Sequence, residues 1–216
     1  MDSGGQGARQ ATCSIQVGPR GSGSCDVTYQ ASEVSGRVKI RAETTDNGLD
    51  ESLSTQVDVR VPSLFRASGS PQYLRFVRSK DSGHVDAVAF ALAPHALLGL
   101  QRLANAYRIV TVEERSDEGY TLGLILSVND MSLPWGGKFD ITGEWTGDHN
   151  SHRKGTSIDI NKRGFDRLTD RPVPNREGHL TTEEIERSRL EVSEACDNAR
   201  GRVVPEEDFH CEFDAE

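Results

Sequence analysis

The chain has 216 residues, and its 25 basic and 34 acidic side chains give a formal charge of −9. That length holds one large domain or two small ones with an adequate core, and the acidic balance argues against broad electrostatic binding to nucleic acid or another polyanion. No stretch approaches the roughly 18 consecutive apolar residues of a membrane span, and the opening MDSGGQGARQ lacks the apolar core of a secretory signal.

Residues 11–62 read as β structure. Segments 13–17, 25–29, 38–42 and 57–61 each alternate apolar and polar residues, with turn residues such as Asp46-Asn47-Gly48 between them. The pattern describes a small all-β sandwich that resembles an immunoglobulin-like accessory domain. It contains no catalytic set, so its expected role is to space, position or bind. A hairpin through Gly18-Pro19-Arg20-Gly21 sets Cys13 opposite Cys25, at a separation that a cross-strand pair and a disulfide can share. Cys196 and Cys211 form the second expected pair, and two disulfides fit an oxidising compartment.

The turn-rich segment 62–71 is the expected boundary, with one domain over residues 1–66 and a second over 67–216. Residues 73–77 resume a strand. Pro94 opens a helix at its first turn, and Leu97, Leu100, Leu103, Ala104 and Tyr107 form one apolar stripe that belongs to the core. Residues 121–128 read as a buried strand. The loop 133–137 carries Trp135, assigned to the core; Trp145 is left unassigned. A second helix spans 181–199, where Thr181 and Glu184 have capping-box spacing. Its sparse apolar positions, Ile185, Leu190 and Cys196, predict a surface helix with one narrow contact. The second domain is therefore α+β, with helices packed on an antiparallel sheet.

The chemistry concentrates in HNSHRKGTSIDI, residues 149–160, and in EEDFHCEF near the C-terminus. His152 and Asp159 stand seven residues apart around Gly155, and His210 follows. Two imidazoles and a carboxylate suit zinc, and three protein ligands with an open fourth position mark a site that activates water. Along a regular strand, positions seven apart face opposite ways, so the two ligands meet only if the chain bends. Gly155 supplies the bend. After it, Ile158 and Ile160 take the core face of a strand and Ser157 and Asp159 the other. In 209–213, Phe209, Cys211 and Phe213 take the core face and His210 points away. A lone histidine is ordinarily a surface or hydrogen-bonded residue; the joint pattern singles these out, and His84, His95 and His179 stay unassigned. Arg153, Lys154, Lys162 and Arg163 would supply local positive charge for an anionic substrate.

His-x-x-Gly-x-x-x-Asp, followed at a distance by a histidine on a final strand, resembles a zinc peptidase superfamily. Its members include the D-alanyl-D-alanine carboxypeptidases and dipeptidases, the penicillin-insensitive murein endopeptidases and the hedgehog signalling domain. Segment 129–145, NDMSLPWGGKFDITGEW, with His149 three residues before His152, is similar to secreted bacterial members near the murein endopeptidases. The resemblance covers roughly residues 84–216. It implies an α+β fold of that superfamily, zinc ligands His152, Asp159 and His210, and an additional active-site histidine at His149. The endopeptidase and hedgehog branches carry a histidine two before the last ligand, where this chain has Asp208. The dipeptidase branch places its general base, a glutamate, three before that ligand, where this chain has Glu207. Strand alternation favours Asp208 and the dipeptidase precedent favours Glu207, which ranks first. The bland reading of both is a solvated acidic cluster with Glu206.

The resemblance implies a secreted or periplasmic zinc metallopeptidase acting on peptidoglycan peptides, its export signal lying outside this sequence. Two alternatives stand beside it: a non-catalytic zinc-containing recognition domain, and a zinc hydrolase of another substrate. Neither a nucleic-acid partner nor a membrane span is expected.

Overall fold

A computed structural model of the chain describes residues 26, 28, 30, 35–46, 49–75, 90–137, 150–169, 171–173, 180–204 and 209–215. The expected Cys13–Cys25 pair, Trp145, His149, Glu207 and Asp208 lie outside these residues. The chain divides into two compact units, Met1–Val59 and Arg60–Glu216.

In the first unit, β1 (Gly36–Asp46) pairs antiparallel with β2 (Leu49–Val59), in a register running from Gly36↔Val59 to Asp46↔Leu49. The strand expected at 38–42 lies within β1, and the one expected at 57–61 is present only as residues 57–59 at the end of the longer β2, with Val38↔Val57 the one pair that joins the two segments; Arg37 Nε donates to Asp58 Oδ1 across the hairpin at 2.9 Å. Among the described residues this hairpin is the unit's only sheet.

The second unit contains β3 (Phe65–Arg66), β4 (Tyr73–Arg75), β5 (Ala91–Leu92), α1 (Pro94–Arg115), β6 (Leu124–Val128), β7 (Ser157–Asp159), β8 (Gly164–Asp166), β9 (Pro172–Val173), α2 (Thr182–Asn198), β10 (Arg202–Val203) and β11 (His210–Glu212). Helix and sheet are mixed, in strand orders β4-β6-β8-β9, β10-β11-β7 and β3-β5. The expected purely antiparallel sheet is corrected at one place: β4 pairs parallel with β6, Tyr73 against Leu126. Parallel neighbours need a long crossover between them, and here the intervening chain includes α1. Residues in such a strand are buried on both faces, and all five positions of β6 are buried.

Helix α1 begins with Pro94 in its first turn and buries Ala96, Gly99, Leu100, Leu103, Ala104, Tyr107 and Val110 on one side, while Leu97 is half-buried. Thr111 ties it to the sheet: its hydroxyl donates to Tyr107 O at 2.7 Å and accepts from Leu124 N at 2.9 Å. Burial, reinforced by the Glu191 carboxylate and opposed by Arg115, holds the Tyr107 phenol protonated far above the ordinary range.

Helix α2 starts on the expected capping box. The Thr181 hydroxyl accepts from Glu184 N at 3.2 Å, and Glu184 Oε2 accepts from Thr181 N at 2.8 Å. Its buried face differs from the sequence expectation. Ser188, Glu191, Val192, Ala195 and Cys196 turn inward, and Leu190 is 69% exposed. The contact is not narrow, because a charged residue completes it. Arg115 on α1 grips Glu191 with both Nε and Nη2, the latter at 2.9 Å, with the two side chains 5% and 1% exposed. Burial opposes the charge on Arg115, yet the Glu191 hydrogen bond and charge outweigh it and hold the guanidinium above its ordinary pKa. Cys196 and Cys211 form the expected disulfide, with their Cα atoms 6.0 Å apart.

Removing one partner of a buried ion pair strands the other, at a cost of about 3–5 kcal/mol. Glu191→Ala should destabilise by that amount in urea denaturation, and Leu190→Ala, on the exposed face, by less than about 0.5 kcal/mol. A small loss for Glu191→Ala would mean that Arg115 finds another partner or water.

Candidate metal centre

His152 sits in a 3-10 turn, Asn150–Lys154, that leads directly into Gly155 and β7. Gly155 has φ 73°, its N–H donates to His152 O at 3.0 Å, and its carbonyl accepts from Ala93 N at 2.9 Å. A Cβ at this position would lie 2.5 Å from Leu64 Cδ2 and 3.1 Å from Ala93 N. Only glycine fits both the left-handed conformation and the close approach. The bend expected at Gly155 is therefore present, and it turns His152 back over the strand that carries Asp159.

A second strap holds the turn from the other side. Gly137 N donates to Arg153 O at 2.9 Å, and Trp135 O accepts from Val61 N at 2.8 Å. Trp135 itself is half-buried. Its assignment to the core is corrected, because what the loop contributes is backbone hydrogen bonding.

β7 is the middle strand of the site. On one side it pairs with β11, placing His210 opposite Asp159, Cys211 opposite Ile158 and Glu212 opposite Ser157. On the other side it meets the chain leaving β6: Asn129 N donates to Asp159 O and Asp159 N to Asp130 O, both at 2.8 Å. Two residues thus oppose one, which is a β-bulge, a device that re-aims a strand and recurs beside functional sites. Ile158 and Ile160 are buried in the core, as are Phe209, Cys211 and Phe213. The alternation read from the sequence holds in both strands.

Three polar atoms converge on the opposite face. His152 Nε2 lies 3.1 Å from Asp159 Oδ1, and His210 Nδ1 lies 3.7 Å from the same oxygen. All three potential ligand atoms fall within 4.8 Å of one another. The imidazole rings are stacked, with centroids 4.8 Å apart and planes at 7°. His152 and His210 side chains are 1% and 6% exposed, and that of Asp159 is 13% exposed. The site is therefore more enclosed than an open cleft, with the carboxylate as its most accessible member.

Of the flanking cations, Lys154 and Lys162 are exposed and Arg153 and Arg163 half-buried, and Lys162 Nζ lies 5.8 Å from the centroid of the Phe209 ring, next to His210. Sequence reasoning assigned no role to the buried Asn129 and Asp130. Their signal was available as two polar residues directly after an apolar strand, but the bulge that makes them significant depends on pairing with a residue 29 or more positions away.

Comparisons with protein-family models, with curated proteins and with solved structures return no match. The functional reading therefore rests on these residues. Tetrahedral zinc with ligand distances near 2.1 Å has ligand–ligand edges of about 3.4 Å. The two contacts at 3.1 and 3.7 Å bracket that edge, and two imidazoles with a carboxylate form a zinc-type donor set. The three residues could hold a metal ion.

Dialysed wild type should retain about one zinc per chain, and His152→Ala should retain none. Free zinc at about 100 times its Kd should add about 2.7 kcal/mol of stability, or roughly 5–10 °C in melting temperature for a unit of this size. His152→Ala should show no such shift. Equal metal content in both proteins would remove the site.

Proposed function

We propose that this chain is a zinc-dependent peptidase that hydrolyses peptide bonds of bacterial peptidoglycan. On this reading the unit 60–216 has the fold shared by D-alanyl-D-alanine peptidases, murein endopeptidases and hedgehog domains. The observation that carries the reading is the convergence of His152 Nε2, Asp159 Oδ1 and His210 Nδ1 from a turn and two strands onto one point. The motif spacing that led to these residues made no use of their distances, and the fold brings all three together.

A zinc ion bound there supplies Lewis acidity toward a carbonyl oxygen and toward water. The chain's own groups have distinct tasks. Each imidazole offers a lone pair, which assigns its proton to the other nitrogen: Nδ1 on His152 and Nε2 on His210. Asp159 contributes the negative charge, held by a strand whose backbone is hydrogen-bonded on both sides. Glu207, three residues before His210, takes the proton of the attacking water and returns it to the leaving amine; Asp208 is the competing candidate. His149 is a further polar group placed near the metal by the motif. Lys162, with Arg153, Lys154 and Arg163, offers positive charge to the carboxylates of a cell-wall peptide. The Cys196–Cys211 disulfide supports a secreted or periplasmic setting.

Incubation with peptidoglycan and mass analysis of the released fragments tests the substrate. Zinc binding without release would favour the recognition module. For the base, Glu207→Gln should keep its zinc and lose activity by about 10²–10⁴-fold, and Asp208→Asn should keep its zinc and lose less. The reverse ranking would move the base to Asp208, and near-wild-type turnover in both would move it to His149.

A further inference from the structure

We propose that the Cys196–Cys211 disulfide is the latch that holds His210 in the metal centre, so that zinc affinity depends on this bond being closed. The inference rests on the metal reading above. β11 is only three residues long, and within it Cys211 lies between His210 and Glu212. On the site face His210 stands opposite Asp159, and on the core face Cys211 stands opposite Ile158. The outer neighbour of β11, β10, has only two residues, paired as Arg202↔Glu212 and Val203↔Cys211. The strand bearing the third ligand is therefore short and flanked on one side by an even shorter strand.

The disulfide attaches that strand to α2. Cys196 is on α2, five residues beyond Glu191, which is bound to α1 through the buried Arg115 pair. A continuous path thus runs from α1 through Arg115, Glu191, Cys196 and Cys211 to His210. The packing is built around the bond: a Cβ on residue 201 would lie 2.5 Å from Cys211 Sγ and 2.8 Å from Cys196 Sγ, so only glycine leaves room for the sulfurs. The segment that the bond closes, with a sequence separation of 15, also contains Glu207 and Asp208. One covalent link thus fixes the last ligand.

Closing the latch is thiol–disulfide exchange with an acceptor disulfide. The two cysteine thiols lose two protons and two electrons and become the S–S bond, and the acceptor takes them up and leaves as a dithiol. Both cysteines are 0% exposed once bonded, which shields the bond from attacking thiolates. The latch is therefore set during oxidative folding and stays closed, making metal competence a consequence of reaching an oxidising compartment.

The test measures zinc affinity by chelator competition for oxidised wild type, for Cys196→Ala/Cys211→Ala, and for Leu103→Ala, a core truncation on α1 that lowers stability and leaves the disulfide in place. Alanine is used because free thiols would bind zinc themselves. The double variant should bind zinc roughly 10–100-fold more weakly, the range expected when a group that orients a ligand is lost, while Leu103→Ala stays within about threefold. Circular dichroism at the measuring temperature establishes that each is folded. Unchanged affinity in the double variant, or equal weakening in both, would overturn the latch. If the double variant does not fold, Cys196→Val/Cys211→Ala, which refills part of the volume of the sulfurs without offering a thiol, replaces it; the same weakening is expected, and unchanged affinity would overturn the proposal. Oxidised wild type that binds no zinc sinks the metal reading itself, whereas tight binding in both wild type and double variant sinks only the latch.

Discussion

The register of β7 is the constraint on which the site depends. Asp159 is hydrogen-bonded through its backbone to the bulge at Asn129 and Asp130, and its strand pairs with β11 on the other side. A slip of one residue would exchange the faces of the strand, sending Asp159 into the apolar core and Ile158 to the site. Burying an unpaired carboxylate in place of a fully buried isoleucine is costly, so the core positions Ile158 and Ile160 enforce the placement of the ligand between them. The same logic operates in β11, where Phe209, Cys211 and Phe213 occupy the core and leave His210 on the other face. Hydrophobic burial thus fixes the positions of polar groups that contribute nothing to it.

Behind this sheet, α1 and α2 form the surface against which the strands rest. Their contact is organised around Arg115 and Glu191, a pair that an apolar substitute of equal volume would match or exceed in stability. Its value lies in geometry. The bidentate contact fixes how α2 sits on α1, and α2 in turn carries Cys196 to Cys211. The capping box at Thr181 and Glu184 fixes where the helix begins. Local signals at the start of α2 and a long-range ion pair in its middle therefore combine to place a sulfur beside the strand of His210.

What was legible in the sequence was local. The stripe on α1, the capping box of α2, the alternation around Asp159 and His210 and the bend at Gly155 each depend on residues within a few positions of one another. The candidate metal-holding group was legible because motif spacing and alternation agreed on the same three residues. Features that depend on remote pairing were not legible. The parallel β4–β6 contact requires knowing that the chain between those strands returns them side by side. The buried face of α2 was misread because Glu191 looks like a solvent-facing residue until its partner, 76 positions earlier, is known. Trp135 was assigned to the core over a cleft, whereas it is half-buried and its loop is held through the backbone. Nor does alternation report that His210 is itself buried: it gives the direction of a side chain and says nothing of what covers it.

The central claim is that one zinc ion is held by His152, Asp159 and His210. Crystals grown with zinc and measured on both sides of its absorption edge test it most directly. The account predicts a single anomalous peak about 2.0–2.2 Å from His152 Nε2, Asp159 Oδ1 and His210 Nδ1, with the imidazole–carboxylate contacts replaced by bonds to the ion. A peak at other residues, or none at zinc concentrations far above those of a tight site, with the His152–Asp159 contact intact, would contradict it.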